Sequence, residues 1–351
     1  LNLAREEFMK TNPVDSRIRL AFSLFTIIVI AICTADLAIA DDKNSSAFTD
    51  EKKAGKDFQV QGEYTAETEN GMKIGIQVMA LGGGKFDLVA YMGGLPGDGW
   101  TRGGDTLKAK GNTKGEMVVF APESNAEDAE KRGRAEWKDG SITVYDPEGN
   151  SVLKADRVTR KSPTLGSKPP EGAVILFDGS SAETFENGKM LEGNLLAATN
   201  CTSKEKLGDH VLHVEFRTPF MPTARGQGRG NSGVYIESRY ECQVLDSFGL
   251  DGKDNECGGI YQISKPVVNM CFPPLAWQTY DIDYVAAKYE GVKKTKNATV
   301  TIKHNGVVIH DQLELPRQTP GCKQEGPQAL GVFFQDHGNP VAYRNIWAVK
   351  K

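Results

Sequence analysis

Residues 229–249 read RGNSGVYIESRYECQVLDSFG. Three carboxylates, Glu237, Glu241 and Asp246, fall in one strand-like run behind a small-residue turn, Asn231-Ser232-Gly233. Paired carboxyl groups at a fixed separation suit acid–base cleavage of a sugar acetal, because one protonates the leaving oxygen while the other removes a proton or attacks. Side chains alternate across a strand. Strict alternation therefore sets Glu237, Arg239, Glu241 and Gln243 on one face and Val234, Ile236, Cys242 and Val244 on the other. Asp246 falls on the apolar side, unless a β-bulge re-aims it and brings Glu241, Gln243 and Asp246 together. The same alternation of charge also describes a solvated sheet face, so the stretch alone supports both readings.

The spacing E-x-Q-x-x-D parallels the E-x-D-x-x-E of sandwich-fold β-glucanases, with Gln243 in place of the central acid. Other polar residues are candidates for the same face. Tyr261 follows Gly258-Gly259, and Trp277 in PPLAWQTYDID offers an aromatic surface for stacking on a sugar ring. Gln335 and His337 share a strand face before a turn, and Arg344 lies on the return strand. A single histidine is more often structural than catalytic, but a loop position at a sheet edge favours function. The candidates are thus Glu241, Asp246 and His337 for catalysis, and Asn231, Ser232, Gln243, Tyr261, Trp277, Gln335 and Arg344 for substrate binding. No cofactor is expected. The Asp251–Glu256 loop (DGKDNE) has oxygens that suit calcium, yet their order does not match an EF-hand, and an acidic solvent loop is the better reading.

These residues need a scaffold, and the chain reads as all-β. From Phe58 short β-like runs follow one another, separated by turn signals at Asn70-Gly71, Gly82-Gly83-Gly84, Asp139-Gly140 and Glu148-Gly149-Asn150. They predict a small accessory β-domain over 57–160. A Pro/Gly/Ser-rich linker is expected over 161–171. Beyond it, HVLHVEFRTP alternates cleanly, and Asn305-Gly306 marks a tight hairpin. Many antiparallel strands in about 180 residues predict a jelly-roll β-sandwich over 172–351.

The N-terminal region reads as a processing signal rather than fold. Basic residues Lys10, Arg17 and Arg19 precede an apolar run from Leu20 to Ala35, and Ala38-Ile39-Ala40 stands before Asp41-Asp42. That order predicts a secretory signal over 1–40, with residues 1–8 as an upstream extension, cleavage after Ala40 and a secreted or periplasmic protein without membrane insertion. Residues 41–56 are polar and read as a flexible lead-in. A net charge of -4 over 351 residues gives no basic surface for nucleic acid. Cys201, Cys242, Cys257, Cys271 and Cys322 remain after the signal, enough for two bridges and a spare thiol, though their order leaves the pairing open.

The blocks GAVILFDGSSAETFENG, GDHVLHVEFRTP, GNSGVYIESRYECQVLDSFG, CGGIY, WQTYDID, HNGVVIHD and FFQDHGNPVAYRNIW, in this order, resemble the 3-keto-disaccharide hydrolase domain family of secreted bacterial proteins. The likeness covers about Glu171 to Lys351. The upstream domain, with GGLPGDGW and SPTLGSKPP, resembles the extension of planctomycete-type members. The resemblance implies a concanavalin A-like sandwich and cleavage of 3-keto-glycosides, by elimination or by hydrolysis. In such chemistry Glu241 or Asp246 would be the base, His337 or Tyr261 the proton donor, and Arg344 or Asn231 the oxyanion partner. A lectin-like binding module and direct hydrolysis of unoxidised glucans are the rival readings, and a saccharide is the expected partner in each.

Overall fold

The structure, a computed structural model, describes residues 46–122 and 133–351. The expected signal segment and the first lead-in residues lie outside the described residues. Two compact units result: Gln59–Val158, and Thr159–Lys351 together with the described part of Asp41–Phe58.

The first unit is a closed antiparallel barrel. Among the described residues its strands are Gly62–Glu67, Lys73–Gly82, Lys85–Met92, Thr106–Lys114, Met117–Pro122, Arg134–Lys138, Ser141–Tyr145 and Ser151–Val158, each paired with its chain neighbours and the last with the first. Period-two apolar patterning drives the closure. Ile74, Ile76, Val78 and Ala80 alternate along one strand and are all buried. Closure leaves no unpaired sheet edge. Outside the barrel wall, Leu95–Trp100 crosses so closely over Gly75 that a Cβ there would sit 2.5 Å from the Leu95 nitrogen.

The second unit is a concanavalin A-like β-sandwich. Its larger sheet runs Met190–Leu191, Leu195–Ala197, Ala342–Lys350, His210–Arg217, Gln278–Val285, Ala298–His304 and Val307–Leu315, with Val174–Phe177 also paired to Ala342–Lys350. The smaller sheet runs Phe185–Glu186, Cys201–Ser203, Phe333–Phe334, Ser232–Ile236 and Tyr240–Val244. Their inner faces meet through large aromatics. Phe334 and Tyr343 have ring centroids 4.6 Å apart, and the Tyr280 hydroxyl reaches across to the Gln243 carbonyl at 2.6 Å. Buried tyrosine hydroxyls need such partners.

Two segments read as loose from composition are held down. Phe48 exchanges both backbone hydrogen bonds with Phe220 at 2.9 Å, and the Phe58 ring packs edge-on against Phe220 at 5.3 Å. Contacts of Phe48 and the adjoining Phe58 with the buried Phe220 outweigh the polar character of the expected flexible lead-in. The Pro/Gly/Ser segment does lack strands, yet it straps the outer face of the larger sheet. Ser162 meets Thr279 at 2.6 Å, Thr164 donates to Asp281 at 2.7 Å, and the Gly166 N–H donates to Glu215 at 2.6 Å.

The five described cysteines are free thiols, four of them buried. Cys201 and Cys242 sit on the core side of strands, where a thiol behaves as a small apolar group. The two bridges that the cysteine count allows are not formed. No helix among the described residues is long and apolar enough to cross a membrane.

Candidate functional site

The opening stretch folds as a hairpin. Ser232–Ile236 pairs with Tyr240–Val244 in unbroken register, with Tyr235 opposite Glu241 and Gly233 opposite Gln243. Glu237, Ser238 and Arg239 form the connection, the first two at φ of 48° and 54° and the Arg239 N–H donating to the Ile236 carbonyl at 3.0 Å. Positive φ at both central positions gives the twist that a tight hairpin needs. The cost of placing side chains there is offset by partners: Glu237 pairs with Arg239 at 3.0 Å and accepts from the Tyr284 hydroxyl at 3.0 Å. Glu237 and Arg239 thus leave the face expected for them and line a separate cavity of about 60 Å3 with Tyr240, Tyr284 and Tyr289.

Gly233, Tyr235, Glu241 and Gln243 remain together on the outer face of the smaller sheet. That face is not wet: Glu241 is 3% exposed and Gln243 1%. Burial drives the Glu241 carboxyl up to about 7, against a hydrogen bond from Tyr235 that pulls the other way. Burial and the adjacent carboxylate push the Tyr235 hydroxyl far above its usual range, so it stays protonated and donates. Phe333 packs edge-on against Tyr235 at 5.0 Å and fixes the ring. Gly233 makes the arrangement possible, because a Cβ there would lie 2.5 Å from Tyr235 Cε2 and 2.7 Å from Glu241 Oε1. The Thr319 hydroxyl accepts from the Glu241 N–H at 3.1 Å and lies 2.7 Å from Cys322 Sγ, bringing a loop over this edge.

Amides continue the face beside Glu241. Gln243 Nε2 donates to Gln227 Oε1 at 3.0 Å, and Asn231 Nδ2 donates to the same oxygen at 3.1 Å. The Asn231 N–H donates to Asn339 Oδ1 at 2.7 Å, which ties this row to the loop that carries His337. Asn231 Oδ1 is buried without a partner. An unpaired buried acceptor is costly and marks a place where a ligand donor gains. Gln335 donates its backbone N–H to the Gly233 carbonyl at 3.1 Å, and alternation from Phe333 sets its side chain on the same outer face. His337 lies exposed two residues further on. Tyr261 is half-buried, and its backbone N–H donates to the Glu241 carbonyl at 3.1 Å.

Four predicted residues belong elsewhere. Ser232 points into the core, where its hydroxyl donates to the Gln335 carbonyl at 2.6 Å and meets the Tyr343 hydroxyl at 2.7 Å. Asp246 needs no bulge to explain it. The strand ends at Val244, and the Asp246 carboxylate is held by Arg229 Nε at 2.7 Å with both side chains buried. Its charge acts on Cys257 and Cys271, on the core side. Trp277 and Arg344 do meet, with the guanidinium 4.0 Å from the ring centre, and Arg217 lies 5.1 Å from the same ring. They meet on the outer face of the other sheet, because Tyr343 points into the core and Arg344, next along the strand, points away. There Arg344 pairs with Glu215 at 2.7 Å. Hydrogen bonds from His213, Asn345, Gly166 and Arg344 overcome burial and hold the Glu215 carboxyl down at about 2.

Tyr235, Gly233, Gln227 and Phe333 are the participants that reading the sequence missed. A recognised three-residue connection at Glu237-Ser238-Arg239 would have put Tyr235 opposite Glu241, but it carries none of the Asn-Gly or Gly signals of such turns. No group of three or more His, Cys, Asp or Glu side chains among the described residues is placed to hold a metal ion. In the Asp251–Glu256 loop, Glu256 Oε2 accepts from the Gly252 and Lys253 N–H groups at 2.7 and 2.9 Å.

Fold and face together define a concanavalin A-like sandwich protein whose smaller sheet presents amides, aromatic rings and one desolvated carboxyl group. The chain belongs to the 3-keto-alpha-glucoside-1,2-lyase-like domain family, whose profile matches residues 172–349. Membership gives the sandwich a glycoside-acting role. Two crystal structures from Parabacteroides distasonis, each described as a "putative glycosyl hydrolase", are similar to it. One is 28% identical, covers 52% of this chain and 85% of its own, and superposes with a TM-score of 0.49. The other is 16% identical, covers 52% and 94%, and has a TM-score of 0.39. No curated protein matches the chain.

Proposed function

We propose that the sandwich cleaves 3-keto-glycosides by elimination, with Glu241 as the base. The observation that carries this reading is the buried Glu241 carboxyl, raised to about 7 and steadied by Tyr235. A general base works best when its pKa lies near the operating pH. Oxidation at C3 of a sugar acidifies the hydrogen on C2. Glu241 takes that proton, the electron pair moves to the C3 oxygen as an enolate, and its return forms the C1=C2 double bond as the C1–O bond to the leaving group breaks. The departing oxygen takes a proton from His337 or Tyr261. The family description as a 1,2-lyase favours this route over direct attack by water.

Of the two expected oxyanion partners, Arg344 drops out because it faces away. Asn231 changes role. Its amide N–H groups are spent on Gln227, and its free oxygen suits a sugar hydroxyl donor instead. Asp246 serves as a positioning anchor for the Arg229 backbone turn. The protein acts outside the cytoplasm once the segment ending at Ala40 is removed, which N-terminal sequencing of the exported protein would establish.

Incubation with a panel of 3-keto-glucosides and unoxidised glycans, followed by mass and NMR analysis of products, tests the reading. A 1,2-unsaturated keto-sugar is the expected product. Release of reducing sugar from unoxidised glycans overturns it, and so does saturable binding without any product, which is the outcome of a lectin.

A further inference from the structure

The barrel contains a second candidate site, independent of the chemistry proposed for the sandwich. Its interior is unevenly filled. Towards one end Trp137 Nε1 donates to the Tyr64 hydroxyl at 2.9 Å, and that hydroxyl donates to the Val60 carbonyl at 2.6 Å. Phe86 packs against Phe120 beside them, with ring centroids 6.4 Å apart. These large side chains plug that end.

Among the described residues the opposite end is open. Cross-strand register turns Leu107, Ala109, Ala135 and Val144 inward, opposite Ala90, Leu88, Phe120 and Leu153. Inward-facing apolar residues of a closed barrel should be sealed from water, yet these four are only half-buried. They border a cavity of about 70 Å3 walled also by Ile74 and Ile76. Its origin is visible in the residue types: alanines at 90, 109 and 135 stand where Tyr64 and Trp137 fill the other end. Native interiors hold few voids larger than a water molecule. The rim carries Lys108 and Arg134, and Arg134 is engaged, paired with Glu136 at 2.7 Å and laid over the Tyr145 ring at 4.4 Å.

The geometry points to a binding site in the barrel for the apolar end of a small molecule, either a short alkyl chain or the edge of an aryl ring. Closure limits the occupant, since a barrel without a free edge offers nothing to an added strand and its bore does not admit a helix. Eight-stranded barrels are just wide enough either to be filled by their own side chains or to hold one small ligand. This one does the first at one end and the second at the other. At roughly 30 Å3 per water in the liquid, the cavity takes a group of only a few non-hydrogen atoms. The rest of the ligand then stays at the mouth.

The test is a titration of the full chain, labelled at Ile, Leu and Val methyls, with n-butanol and benzyl alcohol, and with glycerol as a polar control. Saturable shifts are expected at Ile74, Ile76, Leu88, Leu107, Val144 and Leu153 for the two alcohols and not for glycerol. Ala109→Leu and Ala135→Leu fill the space and should each weaken binding at least tenfold while the sandwich methyl signals stay in place. Ala90→Val is a smaller fill for use if either leucine variant fails to fold. Absence of saturable shifts in the unaltered protein overturns the site, as does binding that survives all the substitutions unchanged.

Discussion

Tyr235 and Glu241 face each other directly across the hairpin, and the tyrosine hydroxyl donates to a carboxyl group that burial has raised to about 7. The pair sets both the charge and the aim of the proposed base. As pH rises through about 7 the carboxylate forms, so turnover of a 3-keto-glucoside should rise over that range. Glu241→Gln should reduce it by about 100-fold or more, in line with the usual contribution of a general base. A flat pH profile between 5 and 9 in initial-rate measurements would rule Glu241 out.

Stability carries the opposite sign. A carboxyl raised in the folded state contributes fully below its unfolded value, and that contribution is lost as pH climbs from 4.5 towards 7. Above pH 7 the Glu241→Gln variant should therefore be more stable than the unaltered protein, by about 3 kcal/mol. Urea unfolding at pH 5 and pH 8 checks this, and an equal difference at both would count against a buried titrating carboxyl.

Tyr235→Phe removes the hydrogen bond that pulls the Glu241 carboxyl down. The rising limb of the pH–rate profile should move to higher pH, with a maximal rate less affected than in Glu241→Gln. A variant that simply loosens the fold would lower the rate at every pH and leave the midpoint where it was.

Gly233→Ala places a methyl group 2.5 Å from the Tyr235 ring and 2.7 Å from Glu241 Oε1. Overpacking of this kind costs about 1–3 kcal/mol. Because both neighbours belong to the proposed catalytic pair, activity should fall at least tenfold in protein that is still folded by circular dichroism. Unchanged turnover would mean that the aim of Glu241 does not matter.

Trp277→Ala and Arg344→Ala provide the contrast. Both residues lie on the outer face of the larger sheet, so turnover of the 3-keto-glucoside should stay within about threefold of the unaltered enzyme, a change of under 1 kcal/mol. A large rise in KM for either variant would place substrate on that face instead.

Arg229→Met leaves Asp246 buried and unpaired. Removing one member of a buried ion pair costs about 3–5 kcal/mol. Adding Asp246→Asn should recover much of the loss, and denaturant unfolding of the two variants reads this directly. If the single variant unfolded like the parent, Asp246 would be free to act as a base after all.

The sequence by itself determined the architecture and part of the candidate face. Period-two apolar patterning specifies strands wherever it occurs, and turn residues separate them, so the sandwich and a smaller β-domain are legible from composition and spacing. Alternation is equally local, which is why Glu241 and Gln243 land on one face in the chain as in the fold. Alternation fails where the backbone leaves the strand. Glu237-Ser238 turns with positive φ and no glycine, so Glu237 departs from the face counted for it, whereas Asp246, past the strand end, stays on the apolar side and does not join Glu241.

Only the tertiary structure decided which faces are buried and which residues of distant strands share one. Arg344 and Gln335 are nine residues apart in the chain, yet a sandwich has two outer faces, and sheet membership sends them to opposite sides. Burial was decided in the same way. The charged stretch with the look of a wet strand is covered by chain from residues 227–231, 258–261 and 319–322. That cover, brought in from remote positions, withholds water from Glu241, and desolvation is what turns an ordinary glutamate into a group titrating near neutrality.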